Sequence, residues 1–211
     1  MLAGVGGVIL AAGDSSRMGR DKALLPWPPS AKAPSVATSS GTLLSAAIDA
    51  LSEYCDMVIV VAGKNAAALQ PIVYGQAAFL AVNRNPERGQ FSSLQIGLRE
   101  VLDRGRDSAM ITLVDRPPAS LATLRTLLQR FEDRGRKWAV VPEYQGKHGH
   151  PVVIGKELID LFLKAPATSN ARDIEHAHQD KIEYVPVVDS RVVMNINTPE
   201  QYAGLATGFG A

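Results

Sequence analysis

The order of apolar and polar positions along the chain alternates between short continuous apolar runs and longer stretches with helical spacing. Continuous apolar runs bounded by turn residues are typical of strands buried on both faces, as in a parallel sheet. These runs predict eight strands, at residues 8–12, 57–62, 79–82, 109–114, 138–141, 152–154, 182–188 and 192–194.

Between the apolar runs, apolar residues recur every three or four positions, which predicts amphipathic helices. The clearest case is residues 42–54, where Leu44, Ala47, Ile48 and Leu51 share one face. The last predicted helix has Thr198 as its N-cap and Pro199 at its first position. The predicted helices are residues 42–54, 66–70, 91–102, 121–131, 158–163, 170–176 and 198–205.

This alternation predicts an α/β fold with three layers: a mostly parallel sheet with helices on both faces, joined by right-handed crossovers. We expect one domain over residues 1–211, with residues 28–40 as a flexible insertion, because that stretch lacks periodicity and is rich in Pro, Ser and Ala. Ligands of such sheets bind beyond the carboxyl ends of the strands. The loop after residue 12, the turn at Gly63, the segment after Val82 and Asp115 should therefore meet in one crevice.

Composition narrows the class of partner. Among 211 residues, 22 basic and 21 acidic side chains give a net charge of +1. Such balance argues for a small-molecule partner and against a nucleic acid or a membrane surface. A single cysteine excludes a disulfide scaffold and a cysteine-rich zinc site. Residues 1–7 carry no basic segment, and the apolar run after them is too short to span a bilayer, so we expect a cytoplasmic protein.

The strand at 8–12 ends at Gly13 and runs into a short polar loop that contains Ser15, Ser16, Arg17 and, further on, Lys22. A strand that ends in a Gly/Ser loop leaves backbone N–H groups free to converge on an anion. Two cations beside that loop indicate a polyphosphate. The alternative is an ordinary glycine-rich turn, but turn chemistry alone does not require the two cations.

Two common phosphate-binding motifs are excluded by spacing. Five residues separate Gly13 from Gly19 and an arginine follows, which does not fit a Walker loop. Gly4 and Gly6 precede the strand, which does not fit a dinucleotide fingerprint.

Asp115 stands where the apolar run 109–114 ends. A carboxylate there is costly to desolvate unless it is paired or binds a metal. Next to a polyphosphate, the natural role of this carboxylate is to bind Mg²⁺. The alternative is a turn-forming aspartate before Pro117. A solvated helix face is predicted for Arg172, Asp173 and Glu175, with contact to an anionic acceptor as the alternative for Arg172.

Residues 10–22 contain Leu-Ala-Ala-Gly followed by x-Ser-x-Arg-Met-Gly-x-x-Lys. This pattern resembles the signature of the molybdenum cofactor nucleotidyltransferases, a family with a nucleotide-diphospho-sugar transferase-like, Rossmann-like fold. The resemblance runs from Val8 to Tyr202 apart from the insertion. Residues 113–117 match the family's Leu-x-Asp-x-Pro, whose aspartate binds metal, and residues 83–94 match its Asn…Gly-x-x-Ser-Ser-Leu segment, which contacts the nucleoside.

The resemblance implies roles for individual residues. Arg17, Lys22 and Asp115 would be catalytic, with Arg17 on the β- and γ-phosphates and Lys22 on the α-phosphate. Mg²⁺ would be held by Asp115 and Asn197, with Asn195 as the second choice in a segment where many members carry Asp-x-Asp-Thr-Pro-Glu. The implied nucleotide-binding residues are Leu10, Ala11, Ala12, Gly13, Ser15, Ser16, Arg17, Lys22, Asn83 and Ser93.

Structural alternatives exist for several of these positions. Ser92 or Ser93 would simply cap the helix that follows, and Asn197 would only shape the turn before Thr198. Gly149-His150-Pro151 stands where the family has Gly-x-Pro, either lining an acceptor pocket or forming a plain turn. Arg116 would serve an acceptor phosphate or lie at the surface.

The resemblance implies transfer of CMP from CTP to the phosphate of molybdopterin, with release of pyrophosphate. Leu-Ala-Ala-Gly resembles the CTP-using branch, whereas Leu-Ala-Gly-Gly is more common in the GTP-using branch, so this choice depends on Ala12. The alternatives are a GTP-using molybdopterin guanylyltransferase or a sugar-phosphate nucleotidyltransferase. A non-catalytic nucleotide-binding regulator is an alternative of another class, since Asn195 and Asn197 bring no charge to a metal.

Overall fold

The computed structural model describes residues 4–15, 18–29 and 41–205. An 8-stranded sheet dominates it, in the order β10-β7-β9-β6-β1-β4-β5, with β8 paired to β7. The strands are β1 (Val5–Ala11), β2 (Pro26–Trp27), β3 (Gly41–Thr42), β4 (Met57–Ala62), β5 (Phe79–Val82), β6 (Ser108–Leu113), β7 (Ala139–Tyr144), β8 (Lys147–His148), β9 (Val152–Gly155) and β10 (Ile182–Pro186).

The central strands run parallel. β1 pairs in parallel with β4 on one side and β6 on the other, β4 with β5, and β7 with β10. β9 is the exception, because it lies antiparallel between β6 and β7. The reversal begins at Gln145 and Gly146, whose positive φ angles of 49° and 73° close a tight hairpin between β7 and β8. The predicted mostly parallel sheet is confirmed, with this strand as the departure.

Helices cover both faces of the sheet. They are α1 (Leu43–Ser52), α2 (Ala66–Gly75), α3 (Gln90–Asp103), α4 (Leu121–Glu132), α5 (Lys156–Lys164), α6 (Ala171–Ala177) and α7 (Pro199–Leu205). Within β1, Ile9 packs into the core under α1 and α4, whereas Val8 and Leu10 pack into the core under α3 and α5. This alternation follows from the two-residue period of a strand, and it confirms the three predicted layers.

One glycine sets how closely α3 approaches the sheet. A Cβ on Gly97 would lie 2.6 Å from Val8 Cγ1 and 3.0 Å from Val61 Cγ2. The absence of a side chain therefore lets α3 lie directly on β1 and β4. Its first turn then stands beside the carboxyl end of β1.

Some predicted elements differ from the structure. The strand predicted at 192–194 is wrong, because a 3-10 helix spans Ser190–Val193. Asp189 closes that turn by accepting a hydrogen bond from Arg191 N and pairing with the Arg191 guanidinium. The helix predicted to stop at residue 70 continues through Pro71, which is exposed. The short strands β2, β3 and β8 were not predicted.

Two further predictions, the insertion at residues 28–40 and the lack of a segment that spans a bilayer, can be compared only with the described residues. Residues 30–40 of the insertion predicted at 28–40 lie outside the described residues. In the part of the chain that is described, the helices are all too short or too polar to cross a bilayer.

Candidate active site

The carboxyl ends of β1 and β6 and the first turn of α3 enclose a cavity of about 200 Å³, the first cavity. It brings together residues from four separate segments of the sequence. Its lining consists of Leu10, Ala12, Gly13, Ser15, Lys22, Pro86, Gly89, Gln90, Ser93, Leu113, Val114 and Asp115. Among the predicted nucleotide-binding residues, Ser16 and Arg17 lie outside the described residues, and Ala11 is buried in β1.

The loop after β1 is held by side chains that hydrogen-bond to its backbone. Asp21 accepts a hydrogen bond from Ala23 N at 2.9 Å and so begins the 3-10 helix Lys22–Leu24. Ser15 Oγ accepts one from Lys22 N at 3.2 Å. Asn65 Nδ2 donates to Asp21 Oδ2 at 2.7 Å and to Ala11 O at 3.0 Å. The position of Lys22 therefore depends on Asn65, a residue that no sequence motif points to beyond its place after the Gly63 turn.

Three polar side chains from distant parts of the sequence meet at the edge of the first cavity. Lys22 Nζ donates to Asp115 Oδ2 at 3.3 Å and to Asn197 Oδ1 at 3.0 Å. Lys22 is only 9% exposed. Ile196 N donates to Asp115 O at 2.7 Å, which holds the segment around Asn197 against the end of β6. Asn195, the second choice for a metal ligand, is exposed.

These oxygens fit a hard divalent cation. Asp115 Oδ1 is buried and has no hydrogen-bond partner among the described residues. Asp115 Oδ2 and Asn197 Oδ1 already converge on one positive charge, the Lys22 ammonium. In residues 4–15, 18–29 and 41–205, no three His, Cys, Asp or Glu side chains cluster as a metal site. A divalent ion here would need most of its ligands from phosphate and water, as Mg²⁺ usually does.

The Asn83–Ser93 segment forms a buried polar cluster. Asn83 Nδ2 donates to both Ser92 Oγ and Ser93 Oγ at 2.9 Å, and Asn83 Oδ1 accepts from Asn85 N. Ser93 lines the first cavity. Neither serine caps α3, because Gly89 is the N-cap and Ser92 Oγ donates to Gly89 O. Asn83 therefore orients the serine that faces the cavity.

A second cavity, of about 590 Å³, adjoins the first and shares Leu10, Gly89, Gln90 and Leu113 with it. Its floor is apolar, with side chains from α3, α5 and the sheet. Charged and aromatic side chains surround that floor: Arg88, Arg116, His148, His150, Arg172, Glu175, His176 and Tyr184.

Gly149 and His150, from the Gly149-His150-Pro151 segment, line this second cavity. Gly149 N donates to Pro142 O at 2.8 Å, and His150 N donates to Val192 O at 2.9 Å. A Cβ on Gly149 would lie 2.3 Å from Val192 O, so the close approach requires glycine. Burial, together with the nearby Arg116 charge, lowers the pKa of His150 to about 3, so the imidazole is neutral.

Arg116 lies inward, beside that segment. Its Nη1 donates to Val192 O at 2.9 Å, and its side chain lines the second cavity. Burial lowers the pKa of the guanidinium from its ordinary value, and the Asp115 charge opposes this shift. Of the two alternatives for Arg116, the surface position does not hold.

The solvated face predicted for α6 is only partly right. Asp173 and Arg172 are exposed, but Glu175 turns toward the second cavity and is half-buried. Burial raises the pKa of Glu175 to about 7, and the Arg172 charge opposes this shift.

Comparison with known proteins agrees with this geometry. The model of the MobA-like NTP transferase domain matches residues 7–182. The molybdenum cofactor cytidylyltransferase of Escherichia coli (strain K12) is 24% identical over 199 residues, covering 92% of each chain. The "Probable molybdenum cofactor guanylyltransferase" of Mycobacterium tuberculosis (strain ATCC 25177 / H37Ra) is 30% identical over 196 residues, covering 91% of this chain and 88% of the relative.

Solved structures share the fold along the whole chain. The crystal structure of Rv0371c from Mycobacterium tuberculosis H37Rv has a TM-score of 0.79 at 24% identity, covering 98% of this chain and 99% of that one. Its complex with manganese has a TM-score of 0.72 at 21% identity, covering 97% and 98%. The family that the motifs in residues 10–22 and 113–117 predicted is thereby confirmed: this chain belongs to the MobA-like NTP transferase family.

Proposed function

We propose that this nucleotidyltransferase moves CMP from CTP to the phosphate of molybdopterin and releases pyrophosphate. The observation that carries the proposal is the contact of Lys22 Nζ with Asp115 and Asn197 at the edge of the first cavity. This contact joins a buried cation to two oxygens of the kind that bind Mg²⁺, at the end of the loop that we propose binds phosphate. The second cavity next to it has room for an acceptor.

The reaction asks the chain for positioning and charge rather than for covalent chemistry. An oxygen of the acceptor phosphate attacks the α-phosphorus as the bond to the bridging oxygen of pyrophosphate breaks. Lys22 lies where it can neutralise charge that grows on the α-phosphate and on the leaving group. Arg17, from the same loop, is proposed to hold the β- and γ-phosphates. The backbone of Ala11, Ala12 and Gly13 approaches the base, and Ser93, oriented by Asn83, contacts the nucleoside.

A magnesium ion fits beside Lys22. Asp115 and Asn197 would hold it, and when bound it would neutralise phosphate charge as a Lewis acid. The solved complex of the Mycobacterium tuberculosis protein with manganese supports the use of a divalent ion. Lys22 would then exchange its contacts with the two oxygens for contacts with phosphate. Because Lys22 already occupies the edge of the cavity, that exchange requires only a change of its side-chain conformation.

The preference for CTP rests on Ala12. A cytidylyltransferase and a probable guanylyltransferase match this chain at 24% and 30% identity. Overall similarity therefore does not decide between CTP and GTP. Ala12 lines the first cavity, and a Cβ on the neighbouring Gly63 would lie 2.9 Å from Ala12 O, so the residue has little freedom to move. We infer that its methyl group limits the space for a base and favours the smaller pyrimidine.

The test is pyrophosphate release from CTP and from GTP, each with molybdopterin and Mg²⁺. We expect kcat/KM for CTP to exceed that for GTP by roughly tenfold or more, and Ala12→Gly to reduce the ratio. Reactions without molybdopterin serve as the control. Faster turnover of GTP would contradict the nucleotide preference. Turnover only with a sugar phosphate would contradict the acceptor, and nucleotide binding without turnover under all conditions would indicate a regulator.

A further inference from the structure

We propose that Arg116, with the side chain of His150 beside it, binds the phosphate of the acceptor and so selects phosphomonoesters. This inference rests on the proposed function and adds the residues that recognise the second substrate. The observation behind it is a pair of neighbouring side chains that line the second cavity, each with a buried polar atom that has no hydrogen-bond partner among the described residues.

The first of these groups is the Arg116 guanidinium. Nη1 donates a hydrogen bond to Val192 O, but Nε is buried and has no hydrogen-bond partner within the described residues. Arg116 also takes part in none of the ion pairs found among those residues. A half-buried cation that forms no ion pair is better accommodated when a ligand supplies a counter-charge beyond that of the neighbouring Asp115. A phosphate would accept the remaining N–H groups and neutralise the charge.

The second group is the His150 imidazole. Its Nδ1 is buried and has no partner in the described part of the chain. The backbone N of His150 and Arg116 Nη1 both donate to Val192 O, each at 2.9 Å, so the two residues lie side by side. A neutral imidazole offers one N–H donor and one bare nitrogen. It can therefore bond to a phosphate oxygen or to a protonated phosphate hydroxyl without adding charge.

The position of the pair fits the acceptor rather than the nucleotide. Arg116 directly follows Asp115, which lines the first cavity, whereas Arg116 and His150 line the second. A phosphate on Arg116 would lie next to the site where Asp115 and Lys22 meet the nucleotide. That is the arrangement an attacking oxygen needs.

The rest of the second cavity indicates what carries the phosphate. Its floor is apolar, and one wall is a stacked pair of rings, His148 and Tyr184, with centroids 3.8 Å apart and planes 10° from parallel. Such a surface favours a flat organic body. The acceptor class is therefore a phosphomonoester of a flat, partly apolar molecule.

The main experiment compares Arg116→Gln and Arg116→Lys with the wild type in steady-state kinetics. For Arg116→Gln we expect the KM for molybdopterin to rise roughly ten- to a hundredfold, while the KM for CTP changes by less than about twofold. Arg116→Lys should lie between the two, because it keeps the charge but loses the planar fork. Arg125→Gln, an exposed arginine on α4, is the matched control and should match the wild type.

If Arg116 only held Val192 in place, Arg116→Gln would give a different result. It would lower the melting temperature of Arg116→Gln and change both KM values together. An unchanged KM for molybdopterin, or equal increases for both substrates, overturns the proposal. A gain in melting temperature with CTP and Mg²⁺ equal to that of the wild type shows that Arg116→Gln is folded.

Phenyl phosphate gives a test that does not depend on turnover. Its binding, followed by NMR titration, should weaken about tenfold or more in Arg116→Gln and stay unchanged in Arg125→Gln. Equal binding to the wild type and Arg116→Gln overturns the inference. If the wild type fails to turn over molybdopterin but phenyl phosphate still binds through Arg116, only the proposed acceptor is wrong.

Discussion

The two cavities differ in how their charged groups are neutralised. In the first, the Lys22 cation already contacts Asp115 and Asn197, so positive and negative charges balance within the protein. In the second, Arg116 has no ion-pair partner among the described residues, and the neighbouring His150 is neutral. The first cavity is therefore suited to a ligand that brings a cation and a polyanion together, such as a metal–nucleotide complex. The second is suited to an anion alone.

This difference has a consequence for binding. Nucleotide binding in the first cavity should depend strongly on a divalent ion, because the polyanion otherwise meets the Asp115 carboxylate. Binding of a phosphomonoester in the second cavity should depend on it little.

Lys22→Met should give the largest loss. It removes the cation that is buried beside Asp115 while keeping an unbranched side chain of similar length. We expect kcat to fall about 10²- to 10³-fold, because charge that develops on the phosphates is no longer neutralised. Pyrophosphate release at saturating CTP measures this effect. Lys164→Met, an exposed lysine at the end of α5, is the control. A Lys22→Met enzyme with more than about half the wild-type kcat would remove Lys22 from the mechanism.

Gly149→Ala should affect the second cavity only. The added Cβ would collide with Val192 O and displace His150 from Arg116. We expect the KM for molybdopterin to rise on the order of tenfold, because the acceptor loses its alignment, and the KM for CTP to stay near the wild-type value. Gly146→Ala, in the hairpin turn with open space at its Cβ, serves as a comparison for general destabilisation. Equal effects on the two KM values would mean that the cavities are not independent.

The first cavity could be predicted from sequence to a larger extent than the second. Gly13, Ser15 and Lys22 belong to one continuous motif after a strand, and Asp115 ends another strand, so sheet geometry brings them together. The second cavity depends on residues from α3, α5, α6 and six strands, and no local pattern links them. Its key contact, Arg116 to Val192 O, joins a residue after β6 to a 3-10 turn that the sequence predicted as a strand.

Glu175→Gln gives the smallest effect, on stability rather than activity. The folded pKa of Glu175 is raised to about 7 from its ordinary 4.5, so the neutral carboxyl is the form that suits the fold. Its contribution to stability is complete below pH 4.5 and is lost as the pH rises through about 7. The wild type should therefore lose on the order of 1–2 kcal/mol of unfolding free energy between pH 5 and 8 that Glu175→Gln does not lose.

Urea unfolding at the two pH values measures this difference. Asp173→Asn, an exposed carboxyl on the same helix, is the control and should follow the wild type. Equal pH dependence in the wild type and Glu175→Gln would show that Glu175 titrates as a solvated carboxyl.

The most direct test of the account is the melting temperature of the wild type and of Asp115→Asn with CTP or GTP, each with and without Mg²⁺. We predict that CTP stabilises the wild type, that Mg²⁺ increases this gain by several degrees, and that Asp115→Asn loses the Mg²⁺-dependent part. No gain in the wild type with either nucleotide and Mg²⁺, or a Mg²⁺-dependent gain that persists unchanged in Asp115→Asn, would contradict a metal–nucleotide site at the end of β1.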